Sequence, residues 1–254
     1  MNTQKFHERN PYLYVLILEI SIIAVLFIVG GIVLKLELPD YYMYGIVLAL
    51  LAIITAIILW KLDWWRVIGF QRLSKKYTLL LIIPVIPLIG NLIGRYNTIQ
   101  FGFYIYYFFL SVMVGFAEEG IYRGIILRVL LKRGIWKALI LSSVLFSLSH
   151  IMNALAGWNL GHVLLQLTYS FALGFGWSAF ALRTGTIWPL MIIHCLIDFS
   201  SFIKAENIFK SLQSSQPDLM EIIYSVGLSA VFIIYGIVVT KSMIKADQVP
   251  QGAQ

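Results

Sequence analysis

A single cysteine, Cys195, stands in 254 residues, so no intrachain disulfide can staple this fold. Charge is scarce too. Asp, Glu, Lys and Arg make up 12% of the chain, against about 25% in soluble domains. Hydrophobic residues make up 60%, and the mean hydropathy is +0.86. Those values exclude a soluble globular domain and leave a polytopic membrane protein with one helical domain. The pattern His-Glu-x-x-His is absent, which removes the zincin metalloproteases without excluding metal. There is no internal repeat or low-complexity tract. The net charge of +7 does not imply nucleic acid as a partner, because Lys and Arg cluster between apolar runs, where they set membrane orientation.

Those apolar runs organise the chain. Crossing a hydrocarbon layer of about 30 Å takes roughly 20 residues of helix. Eight segments are read as spans: Tyr12–Leu34, Tyr42–Trp60, Tyr77–Ile93, Phe101–Leu131, Ala138–Asn153, His162–Leu182, Ile187–Ile203 and Ile222–Thr240. Pro84 and Pro87 should kink the third, and the fourth is long enough to tilt or project. Lys61, Arg66, Arg72, Lys75 and Lys76 follow the second run; Arg128, Lys132, Arg133 and Lys137 follow the fourth; Arg183 follows the sixth; Lys241 and Lys245 follow the eighth. The opposite loops hold only Lys35, Arg95, Lys204 and Lys210. The expectation is an all-α protein with both termini cytoplasmic, as an even number of spans requires. Residues 1–245 read as one transmembrane domain with its motif core at 101–203, followed by a flexible tail at 246–254. Met1–Asn10 is short and polar before a long first run, which is read as a retained helix, not a cleaved signal.

Ionisable residues inside the runs then demand an account, since an unpaired charge there costs about 2.5–3.5 kcal/mol on insertion scales. The fourth run carries Phe116-Ala-Glu118-Glu119-Gly-Ile-Tyr-Arg123-Gly124; others carry Glu19, His150, His194 and Asp198. Helical rise puts Glu118 about 15 Å in from Arg128, His150 about 20 Å in from Lys137, and His194 and Asp198 about 12 and 18 Å in from Thr186. Three helices thus deliver acids and imidazoles to one layer. Glu119 and Arg123, four apart, share a face and can pair. Glu118 is turned about 100° from Glu119 and can face a cavity. His194 and Asp198 also share a face, so the acid can orient the ring. Glu19 has no evident partner and is read as reaching the interface, while His7 and His162 are read as structural.

A carboxylate, two imidazoles and a further acid suit activation of water. Glu118 can act as general base with His150 holding the water, while His194 and Asp198 stabilise an oxyanion. The reaction class is amide hydrolysis in or beside the membrane. The set Glu118, His150 and His194 can instead ligate Zn²⁺ with water in the fourth place. A serine-protease alternative rests on Gly176-Trp177-Ser178-Ala179 with His194, but it leaves Glu118, Glu119 and Arg123 without roles. Cys195 cannot face His194, its helical neighbour. A proton- or ion-coupled transporter and a non-catalytic binding protein are the readings from other classes.

Glu118-Glu119-x-x-x-Arg123, Phe146-x-x-x-His150 and His194-x-x-x-Asp198, in that order on separate runs, resemble the motifs of the CAAX-protease and bacteriocin-processing (CPBP, or Abi) family of intramembrane endopeptidases. Trp64-Trp65-Arg66-Val67-Ile68-Gly69-Phe70 is similar to a Gly-Phe stretch found upstream in that family. The resemblance implies a helical membrane enzyme of the bacterial plasma membrane that cleaves membrane-associated peptides or proteins near their C-terminal ends. It assigns Glu118 and His150 to water activation and His194 and Asp198 to the oxyanion, and it leaves a metal mechanism open. Asp198 departs from the Asn of the eukaryotic prenyl-protease branch. The short loops are similar to the bacterial branch, linked to bacteriocin self-immunity and peptide maturation, for which prenylated substrates are not expected.

Overall fold

Backbone N–H and C=O groups in hydrocarbon have no water to bond, so a spanning chain must satisfy them within itself. The computed structural model describes residues 5–37, 40–65, 69–94, 96, 98–155, 157–204 and 212–247, and among these it is helical with no strand. In order come α1 (Phe6–Arg9), α2 (Pro11–Lys35), α3 (Asp40–Leu62), a 3₁₀ segment (Lys75–Leu81) running into α4 (Ile82–Leu92), and α5 (Phe101–Glu118). A π-helical segment (Glu119–Ile126) joins α5 to α6 (Leu127–Leu131). Then follow α7 (Ile135–Ser149), α8 (Met152–Leu155), α9 (Leu160–Thr184), α10 (Trp188–Phe202) and α11 (Leu219–Asp247).

Seven helical stretches among the described residues are long and apolar enough to cross a membrane. The eighth expected span, α10, is shorter at 15 residues, about 22 Å of helix. Its ends nevertheless reach opposite loop clusters. At its start, Trp188 Nε1 donates to the Gln71 carbonyl (3.0 Å) and Ile187 N to Gly69 O (3.4 Å). Beyond its end, Lys204 donates to the carbonyls of Asn91 and Ile93. Glu8 pairs with Lys132 at 3.0 Å, placing the N-terminal segment beside the α6–α7 connection. The loops therefore segregate into a basic end and an opposite end, as the distribution of Lys and Arg implies. Arg66, Val67, Ile68, Arg95 and Lys210 lie outside the described residues. The last helix, α11, runs to Asp247, and residues 248–254 of the expected tail lie outside the described residues.

The proline-bearing third span does not simply kink. It opens as a 3₁₀ segment and becomes α-helical only at Ile82, with Pro87 inside the α-helix. Pro84 has no N–H for the carbonyl of Leu80 four residues back, and the Tyr235 hydroxyl donates to that carbonyl instead (2.9 Å). Side chains such as Leu16, Phe27, Leu79, Phe101 and Phe109 point outward, exposed and apolar, as lipid contact requires.

The core gathers on α9, whose residues Phe175–Ala181 are all buried. Small residues let the neighbours approach. A Cβ on Gly176 would stand 2.6 Å from Phe232 on α11, and one on Gly115 would stand 2.7 Å from the Met191 carbonyl on α10. The loop after α3 docks on the α9–α10 turn through Gly69, at φ +95°. A Cβ there would lie 2.2 Å from Thr186 Cα and 2.3 Å from Gly185 O. Gly69→Ala is expected to cost at least about 2 kcal/mol from the left-handed backbone and the clash with main chain. Urea or thermal unfolding in detergent measures this; a variant as stable as the native chain would show that the loop does not hold α10 in place.

Candidate active site

The long fourth span places the site by changing its winding. α5 ends at Glu118, and from Glu119 the backbone bonds in π register (i→i+5) before returning to α-helix at Leu127. Such segments concentrate at functional sites. The sequence reading of a continuous regular helix missed it; the only hint is Gly120 and Gly124, weak helix formers flanking the motif. Every residue from Glu119 to Ile126 is buried. Gly120 is needed for closeness, because a Cβ there would stand 2.6 Å from Thr55 of α3.

Glu119 is the centre of the polar cluster. Its side chain and that of Arg123 are fully buried. Oε1 accepts from Arg123 Nη1 at 3.0 Å and faces Nδ1 of His194 at 2.9 Å. A carboxylate can only accept, so His194 carries its proton on Nδ1 and donates it to Glu119. Glu119 thus braces Arg123, as the i,i+4 spacing implied, and also fixes the tautomer and tilt of a ring on another helix, which spacing could not reveal. Arg123 is further held by aromatic faces, its guanidinium carbon 4.0 Å from the ring centre of Phe146 and 5.6 Å from that of Trp177. Desolvated cation–π contacts of this kind are worth about 2 kcal/mol or more. Trp177 also meets His194 edge-on at 5.6 Å. Its role was not visible in the sequence, where it read as part of a possible serine turn; a Trp in mid-span, away from the interfacial belts, is the signal that was available.

The far side of His194 faces two acids. Nε2 lies 3.7 Å from Glu118 Oε2 and 3.6 Å from Asp198 Oδ2. Both oxygens are buried and make no hydrogen bond among the described residues. These distances are too long for direct hydrogen bonds but suit one small polar guest shared among the three. The Glu118 and Asp198 side chains keep 27% and 23% exposure, so the point can be reached from outside.

His150, at the end of α7, stands slightly apart. Its Nδ1 faces the Phe146 carbonyl at 2.9 Å and Ser149 Oγ at 3.4 Å. The carbonyl can only accept, which puts the proton on Nδ1 and leaves Nε2 as an acceptor. The Phe146 ring relates the two imidazoles, 5.0 Å from His150 and 6.5 Å from His194. Among the described residues no hydrogen bond joins His150 to Glu118, so any cooperation between them passes through a guest molecule.

Among the described residues no three His, Cys, Asp or Glu side chains are grouped to hold a metal ion. Ser178 is buried in the uninterrupted α9, and Gly176 beside it is a packing contact with Phe232, so the serine turn does not exist. Cys195 is partly buried where α10 packs against Gly115. Glu19 Oε1 is buried, with no hydrogen-bond partner among the described residues. His7 and His162 are both buried.

Residues 100–200, which contain Glu118, Glu119, Arg123, His150, His194 and Asp198, match the family model described as type II CAAX prenyl endopeptidase, Rce1-like. No curated protein and no solved structure matches the chain.

Proposed function

We propose, on the premise that the motif core is of the CAAX-protease family, that this integral membrane protein hydrolyses peptide bonds of membrane-associated peptides or proteins with water activated by Glu118. The observation that carries the reading is the convergence of Glu118 Oε2 and Asp198 Oδ2 on His194 Nε2, with the opposite ring nitrogen held by buried Glu119. Water held there passes one proton to Glu118 as its oxygen attacks the substrate carbonyl carbon. His150, with an acceptor nitrogen to spare, takes the water's second hydrogen bond. His194, protonated on both nitrogens, donates Nε2–H to the oxyanion, and Asp198 is the counter-charge that holds the ring. Glu118 then returns its proton to the leaving nitrogen as the C–N bond breaks, giving a carboxylic acid and an amine, and the acid's proton passes to the amine or to solvent.

Charge bookkeeping supports this division. With Arg123 and His194 positive and three carboxylates negative, the cluster carries one net negative charge. Proton transfer to Glu118 offsets the new oxyanion, so the sum is unchanged along the step. That matters where the dielectric is low. The substrates we infer are peptide ends lying at the membrane, with peptide maturation or protection from membrane-active peptides as the settings. Comparing the membrane and secreted peptides of cells that carry the native chain or Glu118→Ala, at equal expression, tests the reading. A precursor that persists uncut only with the variant supports it, and identical profiles with a folded variant overturn it.

Asp198 gives a further expectation. Asp198→Asn keeps a polar group beside His194 and should retain cleavage within about tenfold. Asp198→Ala should lose about 10²-fold or more, because the ring that donates to the oxyanion loses the group that holds it. Steady-state cleavage of a membrane peptide in detergent checks both; equal losses would place Asp198 at the proton-transfer step.

A further inference from the structure

The basic end of the bundle contains a second polar cavity, about 15 Å of helix from Glu118 and independent of the protease reading. Its volume is about 230 Å³, and its lining is Lys5, His7, Glu8, Trp64, Arg128, Val129 and Lys132. It forms because α1 folds back beside α2. The His7 ring packs edge-on against Trp64 at 5.2 Å and Tyr14 at 5.7 Å, and Glu8 pairs with Lys132 at 3.0 Å. Among the described residues Glu8 is the one acid in this lining, and Lys132 already answers it. Burial, aided by the charges of Lys5 and Lys132 and opposed by Glu8, keeps His7 below the ordinary imidazole range. At neutral pH the unanswered positive charge therefore belongs to Lys5 and Arg128.

Arg128 is the unusual member. Its Nε and Nη2 are buried and have no hydrogen-bond partner among the described residues. Leaving charged donors unmet is costly. These two atoms are also the parallel N–H pair along one edge of the guanidinium, the fork that grips two oxygens of a phosphate or carboxylate. Trp64 beside it is the kind of residue that marks the membrane interface, and basic pockets between transmembrane helices at that level suit lipid head groups.

We propose that this cavity is a binding site for a phosphate group, taken bidentately by the Nε/Nη2 edge of Arg128 with Lys5 and Lys132 around it. The phosphate comes from an anionic lipid head group or from free phosphate in solution. Binding would tie α1 to the foot of the helix that carries the catalytic motif.

The test uses the full chain in maltoside detergent, titrated in one arm with inorganic phosphate and in the other with phosphatidylglycerol, with dissociation constants measured for the native chain, Arg128→Gln and Lys5→Gln. Saturable binding by the native chain is expected, weakened about tenfold or more in Arg128→Gln, where the charged fork is lost. Lys5 is exposed, so Lys5→Gln should fold normally, with binding weakened about threefold; it decides the matter if Arg128→Gln does not fold. Binding in the phosphate arm identifies the soluble source, and binding in the lipid arm alone identifies the head group. Absence of binding in both arms, or equal affinity in the native chain and the folded variants, overturns the proposal.

Discussion

Glu118→Ala is expected to lower peptide cleavage by about 10²–10⁴-fold, the range for loss of a general base, while leaving the protein folded. The second half of that expectation comes from the geometry. Glu118 Oε2 is buried with no hydrogen-bond partner among the described residues, and its approach to His194, 3.7 Å, is longer than a hydrogen bond. Removing it forfeits little internal bonding and relieves a desolvated carboxylate, so the unfolding temperature in detergent should be equal or higher. Glu118→Gln should be as inactive with its volume kept. Residual turnover above a tenth of native in either variant would move the base elsewhere. So would a larger loss per folded molecule in Glu119→Ala than in Glu118→Ala, since Glu119 is assigned to holding the ring and not to meeting the water.

Arg123→Met should do the opposite and unfold the protein. The change strands the Glu119 carboxylate, which is fully buried, and breaking a buried pair on one side costs about 3–5 kcal/mol. The double variant Glu119→Gln with Arg123→Met should recover most of that loss, because replacing both charges removes the stranded ion. The amide oxygen introduced at position 119 can still accept from His194 Nδ1, but the cluster has lost its fixed cation, so cleavage should stay well below native. Denaturant unfolding of the two single variants and the double variant forms a cycle that measures the coupling directly. If Arg123→Met alone is as stable as the native chain, the Phe146 and Trp177 faces carry the packing there without the ion pair.

Much of this was legible before any coordinates. Scarce charge and long apolar runs dictate a helical membrane protein, because hydrocarbon tolerates no unsatisfied backbone. The clustering of Lys and Arg marks one end of the bundle. Glu119 and Arg123 stand in helical register, so their pairing is local and follows from spacing alone. Glu118, His194 and Asp198 were expected in one layer by counting rise, and they lie together around one ring nitrogen.

What spacing could not supply is whatever depends on contacts between helices. The π-segment after Glu118 departs from the regular 3.6-residue repeat on which face and depth counting relies, and it rests on how α3, α7 and α9 pack around the motif. Glu119 as the partner of His194, Trp177 as a face for Arg123, and Phe146 standing between the two histidines all join residues from different helices. The crossing of the short α10, the docking of Gly69 on the α9–α10 turn, and the fold-back of α1 that creates the Arg128 cavity are of the same kind. Local sequence thus determined which groups enter the membrane and at what depth. Only tertiary packing decided which of them meet, because rotation and register between helices are set by side chains distant in the chain.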